Sequence, residues 1–365
     1  MPSPFPTASL PPGHGAIHLS LLSPANPTFS TLNYSYPLKL LPSTPHILRP
    51  SSTSTSHVER PDSPESRRTS QVHPTPTTVP LLFLLTYGGG IVAGDTISLS
   101  ITLDPSTRLT IATQGSTKIF KISSQPLPLL HSSPNDSKPN SRYLTSHQSL
   151  HVLIGTNAAL WLGPDPTTPF AGSCYAQKQI FHVARGGSVG FGDWVSEGRR
   201  ARGESWDLTS WRGRNEIWST WAHEGKEGRR LLVRDSVILE GENIKERMDN
   251  IGIFATVILH GPLFEPLTQF FLEEFKLLPR IGGRNWGPDG QVAKEQTDKE
   301  RWREGRLQRE GGDGLIWTAA RVRGCTVIKF GAREVEGAKV WLEGMLKQEG
   351  SVVREFGDGA LMCVR

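Results

Sequence analysis

Between Leu81 and Lys121 the chain reads LLFLLTYGGGIVAGDTISLSITLDPSTRLTIATQGSTKIFK, and the middle of this stretch limits the possible folds most sharply. Ile97, Leu99, Ile101 and Leu103 alternate without interruption with Thr96, Ser98, Ser100 and Thr102. A period of two belongs to a strand with one face on a core, and a helix cannot gather those side chains on one side. The strand is entered through a glycine corner, Gly88-Gly89-Gly90-Ile91-Val92-Ala93, which closes at Gly94-Asp95. It is left through the turn Asp104-Pro105-Ser106, after which Leu109–Ala112 begins another strand. The corner formally matches the GxGxxA of a dinucleotide fingerprint. Such a site needs a helix to start there, so that free N–H groups face the pyrophosphate. A strand follows instead, and no Gly-Lys-Ser/Thr ends the loop as a P-loop would require. The glycines are therefore read as supplying positive φ at a tight turn.

The remainder of the chain repeats this β character. AIHLSLLS after Gly15 and the run Thr28–Leu41 are extended, and strand patterns recur at Ser149–Ile154, Ala158–Leu162, Ser173–Val183, Ser188–Val195, Trp211–Trp221 and Arg230–Leu239. No helix is expected before about residue 240. Beyond it, Pro266–Leu278 places Leu267, Phe270, Phe271, Phe275 and Leu278 at helical spacing, and Val335–Lys347 does so with Val335, Ala338, Trp341, Leu342 and Met345. Leu315–Val322 and Cys325–Phe330 read as strands between them. The expected fold class is thus mostly β, a β-helix-like stack of short strands with two α-helices near the C-terminus, in a single domain spanning residues 1–365.

Composition explains the gaps in the pattern. With 37 Gly, 28 Pro and only 36% hydrophobic residues in 365, the chain is expected to be a folded body carrying unstructured insertions. Three fit: 42–79 and 123–146, rich in Pro and Ser, and 282–313, rich in Gly and charge. The net charge of +5 is spread among nearly balanced acids and bases, with no basic block interleaved with aromatics, which disfavours nucleic-acid binding. The three cysteines, Cys174, Cys325 and Cys363, form no CxxC pair or disulfide framework, consistent with a reducing compartment. Neither a secretory signal nor an apolar run long enough to span a bilayer is evident, so a cytoplasmic location is expected.

Few residues suggest chemistry. The histidines, among them His147, His151, His182, His223 and His260, lack HExxH or finger spacing, and Ser116, Cys174 and Cys325 sit in no nucleophile elbow. Asp95 after the glycine corner, Asp165 between two prolines, and Glu204 among arginines each have a structural explanation as caps or ion-pair partners. Together with Asp193 they are also oxygen ligands suited to a divalent ion held weakly. Residues alone thus describe a β-rich binding or assembly protein without an evident catalytic centre.

Several of these segments resemble the UreD (UreH) family of urease accessory proteins. They are YGGGIVAGD at Tyr87–Asp95, TQGSTKIFK at Thr113–Lys121 and LWLGPDPTTPF at Leu160–Phe170. Gly192-Asp193-Trp194 with Glu197-Gly198-Arg199, Arg202-Gly203-Glu204, DSVILE at Asp235–Glu240 and FATVILHGP at Phe254–Pro262 follow in the family's order. The insertions resemble those of eukaryotic, especially fungal, members. The resemblance implies a non-catalytic scaffold for urease maturation, not an enzyme. Such a scaffold binds apo-urease and a UreF-like partner, which docks a UreG-like GTPase, and passes Ni²⁺ transiently through an internal tunnel. Asp95 and Glu204, with Asp165 and Asp193 behind them, are then the expected metal-path residues. Two other readings compete. One is a β-solenoid carbohydrate-active enzyme using Asp193 and Glu197, with tryptophans between Trp194 and Trp221 as a sugar platform. The other is an interaction scaffold with no metal role.

Overall fold

The computed structural model describes residues 10–22, 25–48, 77–121, 144–223, 226–279 and 297–365. The chain opens with an antiparallel pair, β1 (His14–Leu22) and β2 (Asn26–Tyr34), and then β3 (Leu38–Ile47). Three circuits follow. The first lays down β4 (Thr78–Thr86), β5 (Gly90–Ile91) and β6 (Thr96–Leu103), and the second β7 (Arg108–Ala112), β8 (Thr117–Ile119) and β9 (Ser146–Ile154). The third comprises β10 (Ala159–Gly163), β11 (Thr167–Pro169) and β12 (Cys174–Val183). Each strand pairs in parallel with its counterpart one circuit on: β4 with β7 and β7 with β10, β5 with β8 and β8 with β11, β6 with β9 and β9 with β12. β13 (Ser188–Ser196) and β14 (Ser210–His223) extend the two long ladders by one more strand each.

The last third closes the ladders with antiparallel neighbours and helices. β15 (Lys226–Glu240) folds back on β14. After α1 (Ile244–Met248), β16 (Ile253–His260) pairs with β13. Then come α2 (Glu265–Lys276), α3 (Asp298–Asp313), β17 (Ile316–Val322), β18 (Cys325–Ala332), α4 (Val335–Glu349) and α5 (Ser351–Phe356). The strands form a seven-stranded sheet, β15-β14-β12-β9-β6-β1-β2, and an eleven-stranded one whose main path is β17-β18-β16-β13-β10-β7-β4-β3.

Alternation decides the layers. Ile97, Leu99, Ile101 and Leu103 of β6 all lie in one apolar cluster with Leu109, Ile111, Leu160 and Phe191 from the other sheet, so the inner faces of the two sheets share a core. The opposite face of the eleven-stranded sheet, with Trp161, Trp194, Val257 and Phe330, is covered by Leu267, Phe271, Trp341 and Met345 of α2 and α4. These are the residues the helical spacing selected. The mostly β expectation holds, and the glycine corner is a turn into β6: Gly88 and Gly89 have φ of 78° and 71°. All three cysteines are buried and unpaired.

Two expectations need correction. The described residues contain five helices, not two, and α3 lies within the stretch 282–313 that read as an insertion. It begins with a capping box between Thr297 and Glu300 and docks through charge, Arg303 and Arg306 meeting the buried Glu274 of α2. A helix held that way shows no apolar stripe in its sequence. The first insertion is also shorter than 42–79, because Pro42 to Ile47 continue β3 by pairing with Leu82 to Thr78 of β4. Residues 49–76, 122–143 and 280–296 lie outside the described residues.

Candidate functional site

A cavity of about 50 Å³ lies between the two sheets, enough for a few water molecules. Leu38, Leu84, Leu150 and Leu162 form its apolar wall, and Thr113, Gln148, Asp165, Gln177, Gln179 and Asp193 its polar one. Strand alternation explains the polar residues. In β12, Tyr175, Gln177 and Gln179 occupy the same inward face as Phe181 and Val183. In β13, Asp193 sits between the inward Phe191 and Val195, and in β14 Asn215 precedes the inward Ile217 by two.

These groups form one network. Tyr175 donates its hydroxyl toward Oε1 of Gln148 and of Gln177, at 2.9 and 3.0 Å. Gln177 Nε2 donates to Asp193 Oδ1 at 3.1 Å, and Asn215 Nδ2 donates to Asp193 Oδ2 at 2.7 Å. Gln179 Nε2 donates to Asn215 Oδ1 at 3.0 Å. Burial raises the pKa of Asp193; the two amide bonds offset part of that, the Asp235 charge adds to it, and Lys329 works against it. The carboxylate is thus ringed by neutral donors and borders open space.

The four expected path residues separate. Asp165 and Asp193 both border the cavity. Asp165 is also a strut: Oδ1 meets Lys339 Nζ of α4 at 2.8 Å, while Oδ2 accepts from Thr113 Oγ1 at 3.1 Å and Gly115 N at 2.9 Å. Asp95 is half-buried outside the cavity lining. Its backbone N–H closes the corner on Val92 O at 2.9 Å, and no described group hydrogen-bonds its carboxylate. Glu204, 8% exposed, is taken up by Arg199, which approaches both carboxylate oxygens and stacks 3.8 Å over Phe170. The Arg199 hydrogen bond, first among its causes, holds the Glu204 pKa below the usual range.

Gln148, Gln177, Gln179, Asn215, Thr256, Asp235 and Lys329 were not singled out by sequence. The signal was present for Gln177 and Gln179, since polar residues on the core face of an alternating strand need buried partners. Beside Asp193, Gly192 borders both the cavity and a second void of about 20 Å³ beneath the helices, and a Cβ there would meet nothing within 4 Å. Asp193 and Glu197 do not form a glycosidase pair. Four residue steps of extended chain, about 13 Å, separate them, and Glu197 is taken up by Ser205 Oγ at 2.7 Å. Among the described residues no three His, Cys, Asp or Glu side chains gather as a metal cage, and no helix is long and apolar enough to cross a membrane.

Two sheets with parallel ladders, enclosing an amide-lined cavity that a carboxylate borders, describe a β-rich protein with a polar pocket in its apolar interior. The family model of the UreD urease accessory protein matches residues 51–357, and the chain belongs to that family. It is 30% identical to urease accessory protein 4 of Cryptococcus neoformans var. grubii over 95% of this chain and 93% of that protein. Urease accessory protein D of Arabidopsis thaliana is 33% identical over 57% of this chain and 63% of its own length. An uncharacterized ureD-like urease accessory protein of Schizosaccharomyces pombe is 29% identical over 72% of this chain and 79% of its own length.

Proposed function

We propose that this chain is a non-catalytic, cytoplasmic scaffold of urease maturation. It binds apo-urease and a UreF-like protein that docks a UreG-like GTPase, and its parallel circuits act as a β-helix-like stack with a polar core through which Ni²⁺ passes transiently. The observation carrying this reading is the cavity, where Asp193 is held by amides alone. A carboxylate hydrogen-bonded by neutral donors, next to room for water, offers a borderline divalent ion a ligand it can leave. Asp165 shares the cavity wall and serves as a second, weaker ligand. Asp95 keeps a place as an entry residue because no described group hydrogen-bonds its carboxylate, whereas Glu204 is committed to Arg199 and stands outside the path.

The test is urease activity in cells lacking this chain, complemented with variants and assayed with and without added nickel. Asp193→Ala is expected to lower activation while urease still co-purifies with the scaffold. Full activation by Asp165→Ala, Asp193→Ala and the double variant would remove the path assignment.

A further inference from the structure

The polar row continues past the cavity. On the inner face of the eleven-stranded sheet, Asp193 of β13 is paired with Thr256 of β16, and Thr256 with Lys329 of β18. On the facing sheet, Asn215 of β14 is paired with Asp235 of β15. Side chains link the two sheets at both ends of this group: Asn215 donates to Asp193 at 2.7 Å, and Lys329 Nζ lies 2.6 Å from Asp235 Oδ1.

Two atoms here have no hydrogen-bond partner among the described residues. Thr256 is 1% exposed, and its Oγ1 makes no hydrogen bond. Asp235 Oδ2 is equally buried and equally unpartnered. A buried hydroxyl and half a buried carboxylate left unsatisfied cost stability unless a further group satisfies them. What could satisfy both is a donor or a cation. The charges agree, with two carboxylates set against a single ammonium. That ammonium is attached to a flexible stem whose side chain is 31% exposed, so it can swing into water without dragging the strand along.

We propose that Asp193, Asp235 and Thr256 form an oxygen-donor site for one divalent cation, and that the Lys329 ammonium is a tethered, displaceable cation that occupies it in the metal-free protein. Carboxylate and hydroxyl oxygens suit a hard or borderline ion. Competition from a tethered ammonium keeps the site weak, as a transfer point requires. The proposal rests on the preceding reading only for the identity of the ion, Ni²⁺; the site itself is argued from the unpartnered oxygens.

Binding of Ni²⁺ to the full-length chain, purified without a histidine tag, tests it by equilibrium dialysis at neutral pH. Lys329→Met should tighten Ni²⁺ binding about tenfold, by removing a competing charge. Adding Asp235→Asn or Thr256→Val to that variant should return the affinity to the wild-type level or below. An unchanged affinity in Lys329→Met, or a gain that survives Asp235→Asn, overturns the proposal. The wild-type chain supplies a second readout that needs no substitution. Acetylation of Lys329 by an amine-reactive ester should rise when Ni²⁺ is added, and labelling that ignores Ni²⁺ rejects the displacement. Failure of these binding tests removes the site and leaves the path through the cavity standing. Ni²⁺ binding that follows these expectations, together with unimpaired urease activation by Asp193 variants in cells, removes the path and leaves the site.

Discussion

Two carboxylate clusters of this protein, one in the helical layer and one between the sheets, are handled in opposite ways. In the helical layer Glu274, 0% exposed, receives Arg303 at 2.8 and 2.7 Å and Arg306 at 3.3 Å, with Lys299 at 3.9 Å. Arg306 also meets Glu310, which accepts from Trp341 Nε1 at 2.7 Å. Between the sheets, Asp193 receives two neutral amides and Asp235 leaves one oxygen bare. The first cluster is saturated with cations and fastens α3 to its neighbours. The second leaves its charge incompletely compensated beside a cavity. A buried carboxylate already surrounded by arginines has no remaining demand for a cation, so a mobile ion belongs with the second cluster.

Breaking the saturated cluster should have the largest effect. Arg306→Met leaves Glu310 without a cation while Glu274 keeps Arg303, and is expected to cost about 3–5 kcal/mol of stability, the loss typical of removing one partner of a buried ion pair. Urea unfolding measures it, and a loss below about 1 kcal/mol would mean that α3 is not held as described. Next in size is a substitution that separates passage from stability. Gly192→Val adds a side chain where a Cβ meets nothing within 4 Å, in a strand that prefers β-branched residues. That side chain points toward the helices, on the face of β13 opposite Asp193, so melting temperature should hold or rise with urease activation unchanged, and a fall in activation would show that passage uses the void beneath the helices and not the cavity beside Asp193.

pH sharpens the contrast further. The Glu274 carboxyl, raised by burial but lowered more by Arg303, Arg306 and Lys299, lies below its usual range. Its contribution is therefore present at neutral pH and is lost as acid protonates it in the folded state. Asp193 has the opposite sign, since a raised folded pKa makes its ionised form a cost that acid relieves. The stability of wild type relative to Asp193→Asn should accordingly increase as pH falls from neutrality through the folded Asp193 pKa toward the ordinary carboxylate range. A wild-type stability that stays constant or falls relative to Asp193→Asn over that range would show that Asp193 is not held against its charge. Smallest is Glu204→Gln, which loosens the turn that Arg199 closes. A slight drop in melting temperature with wild-type urease activation is expected, and a collapse of activation would return Glu204 to the path.

Much of this architecture was legible without coordinates. The alternation at Thr96–Leu103 required a strand after the glycine corner, and it excluded the helix a nucleotide site needs. The stripes of α2 and α4 named the residues that now cover the eleven-stranded sheet. Even the interior polarity left a trace, because Gln177 and Gln179 interrupt the core face of an otherwise alternating strand. α3 left only its charge, which allowed no more than a transient helix in the insertion, and the Thr297–Glu300 capping spacing, since its apolar content is meagre and its anchor, Glu274, lies on another helix across a segment of chain.

What the sequence determined by itself was periodicity: which residues face inward, where the chain turns, and in what order the family's segments run. Tertiary structure alone decided which inward residues meet. Asp165 and Asp193 come from different circuits and share a cavity because parallel pairing brings their strands into one stack. Glu204, equally acidic and equally close to glycine in sequence, is claimed by an arginine five residues away. Local patterns fix a side chain's direction through the backbone, but the partner that neutralises a charge is set by distances across sheets, which no spacing along the chain records.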